Sequence, residues 1–313
     1  MSLETGAQVT DLTVNDHACL TFGESEELAD LTAAFVRDGL AAGSRVVWLS
    51  DTPQAAAVEL GRRGLGTATA PADPSAEGTA AAGAGPIAVV DCQEGLMAGR
   101  AFEVERAVGW LREQVAVAQR KGYRGLRVAL DMAWALRPVD GIEQLPVFER
   151  EIAAMVGELA TRTACGPGST AEATAALSVL CQYDRERFDP VTLASVTPFH
   201  AHSVAAATYH DDELLRICRQ YAPPGIRIAG QIDVQAQEAL ALALSEAIRV
   251  DGDITVNMAE LTFIDVSTTR MIVDAARSIA HPRRVILKSH PAIESRFVIL
   301  GVADLPNVDV SRR

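Results

Sequence analysis

Lysine is almost missing from this chain. Only Lys121 and Lys288 occur among its 313 residues, and arginine supplies the rest of the positive charge. Acidic residues outnumber basic ones and the net charge is −13. No basic stripe is visible, so the counterion release that drives duplex binding has no source, and direct nucleic-acid binding is excluded as an expectation. Aromatic residues make up 5% of the chain. No run of about 18 apolar residues appears, which excludes a helical membrane span. The opening "MSLETGAQVTDL" has neither a basic nor an apolar segment of the kind that directs secretion. Five cysteines (Cys19, Cys92, Cys165, Cys181, Cys218) are scattered, with no C-x-x-C pair and no disulfide-scaffold spacing. A reducing cytoplasm fits this usage. The catalytic signatures G-x-S-x-G and H-E-x-x-H are also absent, and nothing in the sequence requires an enzyme.

What is present is an alternation of strand-like and helix-like segments. "ACLTFG", "SRVVWLS", "PIAVVDC", "GLRVALDM" and "AALSVLCQYD" read as strands. Helical periods separate them, among them residues 24–43, Phe102 to Lys121, and a run from Gly141 that restarts at Pro146. Strands separated by helices of this length predict a mostly parallel sheet with right-handed crossovers. Residues 66–86 are rich in Ala, Gly and Pro and read as a mobile surface loop. Pro223 and Pro224 read as a break, after which strand and helix segments form a second α/β module of about 90 residues, a size that folds alone. The expected organisation is a first domain over 1–212, a linker over 213–223 and a second domain over 224–313.

The second module resembles the STAS domain, the sulfate-transporter and anti-sigma-factor-antagonist family. The resemblance rests on "IRIAGQID", "ITVNMAELTFID" and "VILKSHPAIESRFVILGV" in that order. It implies a partner surface, facing an anti-sigma factor or related kinase-like protein, at Asp265, Val266, Ser267 and Thr269. In the family a serine directly after the aspartate is phosphorylated and the added charge blocks the complex. Here Val266 follows Asp265, Ser267 comes one residue later and Thr268 replaces the customary glycine. One residue on a helix turns a side chain by about 100°. Ser267 and Thr268 are therefore phosphorylation candidates, set against a plain capped helix with Asp265 as N-cap and both hydroxyls in the first turn.

The first module opens like a RecA- or KaiC-like ATPase. Its loop, "FGESEELAD", has one glycine, no lysine and three glutamates, where a phosphate-binding loop needs G-x-x-x-x-G-K-[ST]. ATP hydrolysis is not expected. "DHACLTFG", "GYRGLRVALDMAWAL" and "LCQYDRERFD" resemble the MEDS domain, a methanogen/methylotroph sensory domain. This implies sensing of a small organic ligand. The carboxyl ends of parallel strands place Phe22, Gly23, Glu24, Asp131, Trp134 and Tyr183 near a possible pocket, and His17 and Cys19, which share one strand face, join Phe22, Glu24, Asp131, Trp134 and Tyr183 as ligand-site candidates. His17, Cys19, Cys181 and His200 could supply N and S ligands to a metal if the sheet gathers them. The competing reading is buried core thiols with locally paired histidines, and it is the one the scattered spacing favours, so no cofactor is expected. Taken together the expectation is an α/β protein with a degenerate RecA-like first domain. It would be a bacterial signalling regulator, an anti-sigma-factor antagonist with small-molecule input and no enzymatic activity. The alternatives are a RecA-like nucleotide-binding protein with residual ATPase activity and a non-switching scaffold of a stress-signalling complex.

Overall fold

The computed structural model describes residues 7–66, 85–99, 101–164, 175–302 and 305–312. Most of the expected surface loop at 66–86, and Cys165, lie outside them. The chain divides into two units, residues 1–205 and 206–313.

The first unit runs β1 (His17–Phe22), α1 (Ser25–Ala41), β2 (Arg45–Ser50), α2 (Pro53–Arg62), β3 (Ile87–Asp91), α3 (Cys92–Leu96), a short antiparallel pair β4 (Met97–Ala98) and β5 (Ala101–Phe102), and α4 (Val104–Arg120). It continues with β6 (Gly125–Asp131), α5 (Leu145–Ala164), β7 (Ala176–Asp184), α6 (Pro190–Val196) and β8 (His202–Val204). Six strands form one sheet in the order β3-β2-β6-β7-β1-β8, and every pairing is parallel. The five expected strands are there, and β8 adds an edge after His200.

Side chains alternate across a strand, so each strand serves two faces. Leu126, Val128 and Leu130 of β6, and Leu177, Val179, Cys181 and Tyr183 of β7, join the core formed with α4 and α5. The intervening residues meet α1 instead. Arg127 donates to the Phe35 carbonyl and Gln182 donates to Thr32 Oγ1. Pro146 sits in the first turn of α5, where its missing N–H costs nothing. Phe148, Ile152, Met155 and Leu159 follow at helical spacing and are buried. Glu149 lies in the same buried stripe.

The second unit begins earlier than the sequence suggests. It contains β9 (Thr208–Asp211), β10 (Leu215–Tyr221), β11 (Pro224–Ile232), α7 (Gln237–Arg249), β12 (Ile254–Met258), β13 (Leu261–Ile264), α8 (Val266–Ser278), β14 (Val285–Ser289), α9 (Pro291–Ile299) and β15 (Val308–Arg312). The sheet order is β15-β14-β12-β11-β10-β9, with β13 pairing the far end of β11. β11 is parallel to β12 and antiparallel to β10. The expected linker at 213–223 is therefore corrected. Leu215, Ile217, Cys218 and Tyr221 are buried strand residues, and the proline pair makes a tight hairpin, with Tyr221 opposite Pro224. Proline is compatible with that turn because the ladder needs no N–H from it there. Gly230 has φ +94°, and a side chain would run into the Leu214 carbonyl; the register against β13 shifts at that point, as in a β-bulge. Ile217, Ile228, Leu240, Leu244, Val256, Ile272 and Phe297 are among the residues of this unit's own core.

Candidate functional site

Parallel pairing sets His17 of β1 opposite Val179 and Cys19 opposite Cys181 of β7. His17 and Cys19 thus share a face with Cys181 and Tyr183. The second turn of α5 lies over them and contributes Glu149, whose side chain is fully buried. His200, just after a 3-10 turn (Thr197–Phe199), closes the group. Glu149 Oε2 lies 3.1 Å from His17 Nε2, 3.3 Å from Cys181 Sγ and 3.3 Å from His200 Nε2. His17 Nε2 and Cys181 Sγ are 3.4 Å apart. Tyr183 donates its hydroxyl to the other oxygen, Oε1. Each histidine turns its Nδ1 to a backbone carbonyl at 3.0 Å, His17 to Phe199 and His200 to Val196.

The electrostatics follow from this enclosure. Burial by itself pushes the Glu149 carboxyl up; with His17 and His200 protonated, their hydrogen bonds and charge would outweigh it and hold the group well below the ordinary carboxylate range. Burial, reinforced by the Glu149 charge, pushes the Cys19 thiol up to about 12. The same causes raise Cys181 and the Tyr183 hydroxyl well above their ordinary values. None of these thiols is a nucleophile in this setting.

Of the four metal candidates, His17, Cys181 and His200 converge, while Cys19 stands beside the group. Sequence reasoning missed Glu149. The sign that could have found it is an acidic residue falling inside the apolar stripe of α5, next to Phe148 and one turn before Ile152. His202 is apart and exposed, 3.6 Å from Asp16.

His17, Cys19, Phe22, Trp134 and Tyr183 are all buried, and Trp134 stacks at 4.6 Å on Phe102 in the core. Glu24 occupies the N-cap position of α1 without a side-chain capping bond. Asp131 accepts from the Ala133 N–H at 2.9 Å and the Asp51 N–H at 3.2 Å, and burial raises its carboxyl. Where an ATPase would present amides to phosphate, the Gly23 N–H donates instead to Glu27 at 3.2 Å. A side chain at Gly23 would also meet the Arg185 guanidinium.

In the second unit Asp265 is the N-cap of α8 and accepts the Thr268 N–H at 2.7 Å. Val266, Ser267 and Thr268 are the first three helical residues. Val266 is 68% exposed, and Phe263, the penultimate residue of β13, is 42% exposed. The Ser267 hydroxyl is exposed, accepts from Gln237 at 2.5 Å and lies 3.4 Å from Asp265 Oδ1. Two expectations are corrected here. Thr268 is fully buried, so its hydroxyl is not open to a kinase; Thr269 is also buried and donates to the Asp265 carbonyl at 2.7 Å, so it cannot face a partner.

A parallel-sheet unit is thus followed by a mixed-sheet unit with an exposed, aspartate-capped helix start. Comparison with known families makes this specific. Residues 16–166 match the MEthanogen/methylotroph, DcmR Sensory domain (MEDS), and residues 221–312 match the STAS domain. The chain therefore carries a MEDS sensory domain followed by a STAS domain, and the latter points to signalling of the anti-sigma-factor-antagonist type. The first unit extends past the matched segment: β7, β8, Cys181 and His200 all come after residue 166. A KaiC-like protein from the hyperthermophilic archaeon Pyrococcus horikoshii OT3 is similar to this chain at 11% identity, covering 67% of this chain and 79% of that one, with a TM-score of 0.41. No curated protein matches. No described helix is long and apolar enough to cross a membrane.

Proposed function

We propose that this chain is a signalling regulator whose STAS domain binds an anti-sigma factor or related kinase-like protein through the start of α8, under the control of the MEDS domain. The observation that carries this reading is the exposed apolar pair Val266 and Phe263 beside an exposed hydroxyl, on a rigidly capped helix. Exposed aliphatic and aromatic side chains at a fixed position are what a partner can desolvate.

Ser267 is the hydroxyl of this loop that a kinase can reach. A phosphate of about −2 charge there would displace the Gln237 contact and sit against Asp265, opposing docking by repulsion and desolvation. The helix N-terminus offsets part of that cost. The MEDS domain acts as a sensor without turnover. With the Gly23 amide given to Glu27 and no lysine in the loop, Mg-ATP is neither held nor hydrolysed. An input ligand of the small organic class must favour one state of the protein, because equal affinity for both shifts nothing.

The test is affinity capture of the full chain from its native cell with mass spectrometry of both partner and bait. The expected result is a kinase-like partner and phosphate confined to Ser267 within residues 265–269. Capture that yields no kinase-like protein under any growth condition contradicts the reading.

A further inference from the structure

We propose that the MEDS unit holds a divalent transition-metal ion of the zinc class, bound by His17 Nε2, Glu149 Oε2, Cys181 Sγ and His200 Nε2. This inference is independent of what the STAS domain binds.

The geometry comes first. The four ligand atoms arrive from separate elements, β1, α5, β7 and the segment before β8, and lie within 4.8 Å of one another. Zinc bonds of 2.0–2.3 Å in a tetrahedron put ligand atoms about 3.3–3.8 Å apart. The contacts to Glu149 Oε2, at 3.1 to 3.3 Å, and the 3.4 Å contact of His17 with Cys181 are already close to that spacing. The remaining two spacings, from His200 Nε2 to His17 Nε2 and to Cys181 Sγ, lie within 4.8 Å, so an inward turn of the His200 ring would complete the tetrahedron.

The tautomers point the same way. Both Nδ1 atoms face backbone carbonyls, which can only accept, so both rings carry a proton there. A neutral ring then aims its Nε2 lone pair at Glu149 Oε2, which is itself an acceptor. Protonating both rings would place two imidazolium groups on one carboxylate oxygen in a closed interior. Even then His200 Nε2, although 3.3 Å away, has no hydrogen bond of acceptable geometry and is a buried, unsatisfied atom. A cation at the centre accepts all four lone pairs at once.

The charge also balances. Two neutral imidazoles, one thiolate and one carboxylate sum to −2, and a divalent ion makes the buried site neutral, the condition that a low-dielectric interior favours. On binding, the Cys181 S–H bond breaks, the sulfur–metal bond forms and the proton leaves to water; no redox partner is needed. Imidazole and thiolate donors suit zinc and its neighbours and disfavour magnesium and calcium. The outer contacts are those expected of a metal site: a carbonyl behind each histidine and the Tyr183 hydroxyl on the free oxygen of Glu149. With four protein ligands whose side chains are buried, the ion has no open position for a substrate and is a resident that ties four segments of the sensor together.

The experiment uses the full chain, purified without a metal-affinity tag. Elemental analysis should find about one zinc per chain, the stoichiometry of a four-ligand site. After chelation, titration with Co2+ should give tetrahedral ligand-field bands and a thiolate-to-cobalt charge-transfer band. Cys181→Ser should abolish the charge-transfer band and keep the ligand-field bands. Tyr183→Phe should weaken zinc binding by about 10–100-fold, as loss of a contact behind a ligand does. His202→Ala, outside the group, should change nothing. If Cys181→Ser does not fold, the wild-type cobalt spectrum still decides, because the charge-transfer band reports a thiolate ligand directly. Wild-type protein with no zinc, no cobalt bands and a melting temperature indifferent to zinc and chelator overturns the proposal. A charge-transfer band that survives Cys181→Ser overturns the ligand assignment.

Discussion

At the residue scale, Asp265 does the work of holding the start of α8. Its carboxylate accepts the Thr268 N–H, so Asp265→Ala should cost about 0.5–2 kcal/mol and Asp265→Asn much less, read from denaturation of the full chain. Burial raises this carboxyl, but the hydrogen bonds from Thr268 and Ser267 prevail and hold it below its ordinary value. A carboxyl depressed in the folded state stabilises above its unfolded pKa, and the gain is lost as pH falls through the folded value. The stability gap between wild type and Asp265→Ala should therefore narrow below the ordinary carboxylate range and stay constant at neutral pH. A gap that widens on acidification contradicts the cap assignment. Cys19, Cys92, Cys181 and Cys218 are all buried, and Cys19 is pushed up to about 12. Native alkylation should leave these four unlabelled, and labelling should appear only after denaturation, as peptide mapping will record. Residue types on strands made His17, Cys19 and Cys181 visible in sequence because alternation fixes which side chains share a face. Glu149 was hidden because a single sequence does not say which helix crosses which strand.

At the scale of elements, the parallel sheet was legible because its strands are nearly continuous apolar runs separated by helices, a pattern with few other solutions. The hairpin β10–β11 was not. Its turn is built from two prolines, which in sequence mark a chain break as readily as a tight return, and only cross-strand pairing distinguishes the two. β10 covers one edge of β11 and buries Leu215 and Ile217 in the core of the second unit. A fragment starting at Ala206 should thus fold cooperatively, whereas one starting at Pro224 should expose the β11 edge and aggregate. Circular dichroism and sedimentation of the two fragments will test this; equal behaviour would show that β9 and β10 are dispensable. The same scale explains the switch loop. A shift of one residue leaves Val266 facing out and buries Thr268 and Thr269, a consequence of the helical period that the sequence does allow to be read once the cap is fixed.

At the scale of the whole molecule, the two units carry different kinds of information. The sensor has its polar chemistry sealed in the core around Glu149, and the STAS domain presents its distinctive residues to solvent at Phe263, Val266 and Ser267. The absence of lysine in the loop after β1, and the Glu27 carboxylate on the Gly23 amide, predict no ATP turnover and no shift in melting temperature with Mg-ATP. A steady-state assay showing turnover that Glu27→Gln alters would reverse that conclusion. Domain identity was legible because it depends on several segments in order. The partner was not, because recognition depends on a surface that only the partner completes.

The central claim, that the start of α8 is a docking surface, is tested most directly by isothermal titration of the captured kinase-like protein into the wild-type chain and into Val266→Asp. The substitution keeps the Asp265 cap and a solvent-exposed position, so the fold should be retained while a charge is set in the middle of the contact. At least about tenfold weaker binding, equivalent to about 1.4 kcal/mol, is the predicted result. Unchanged affinity in a folded Val266→Asp protein would contradict it.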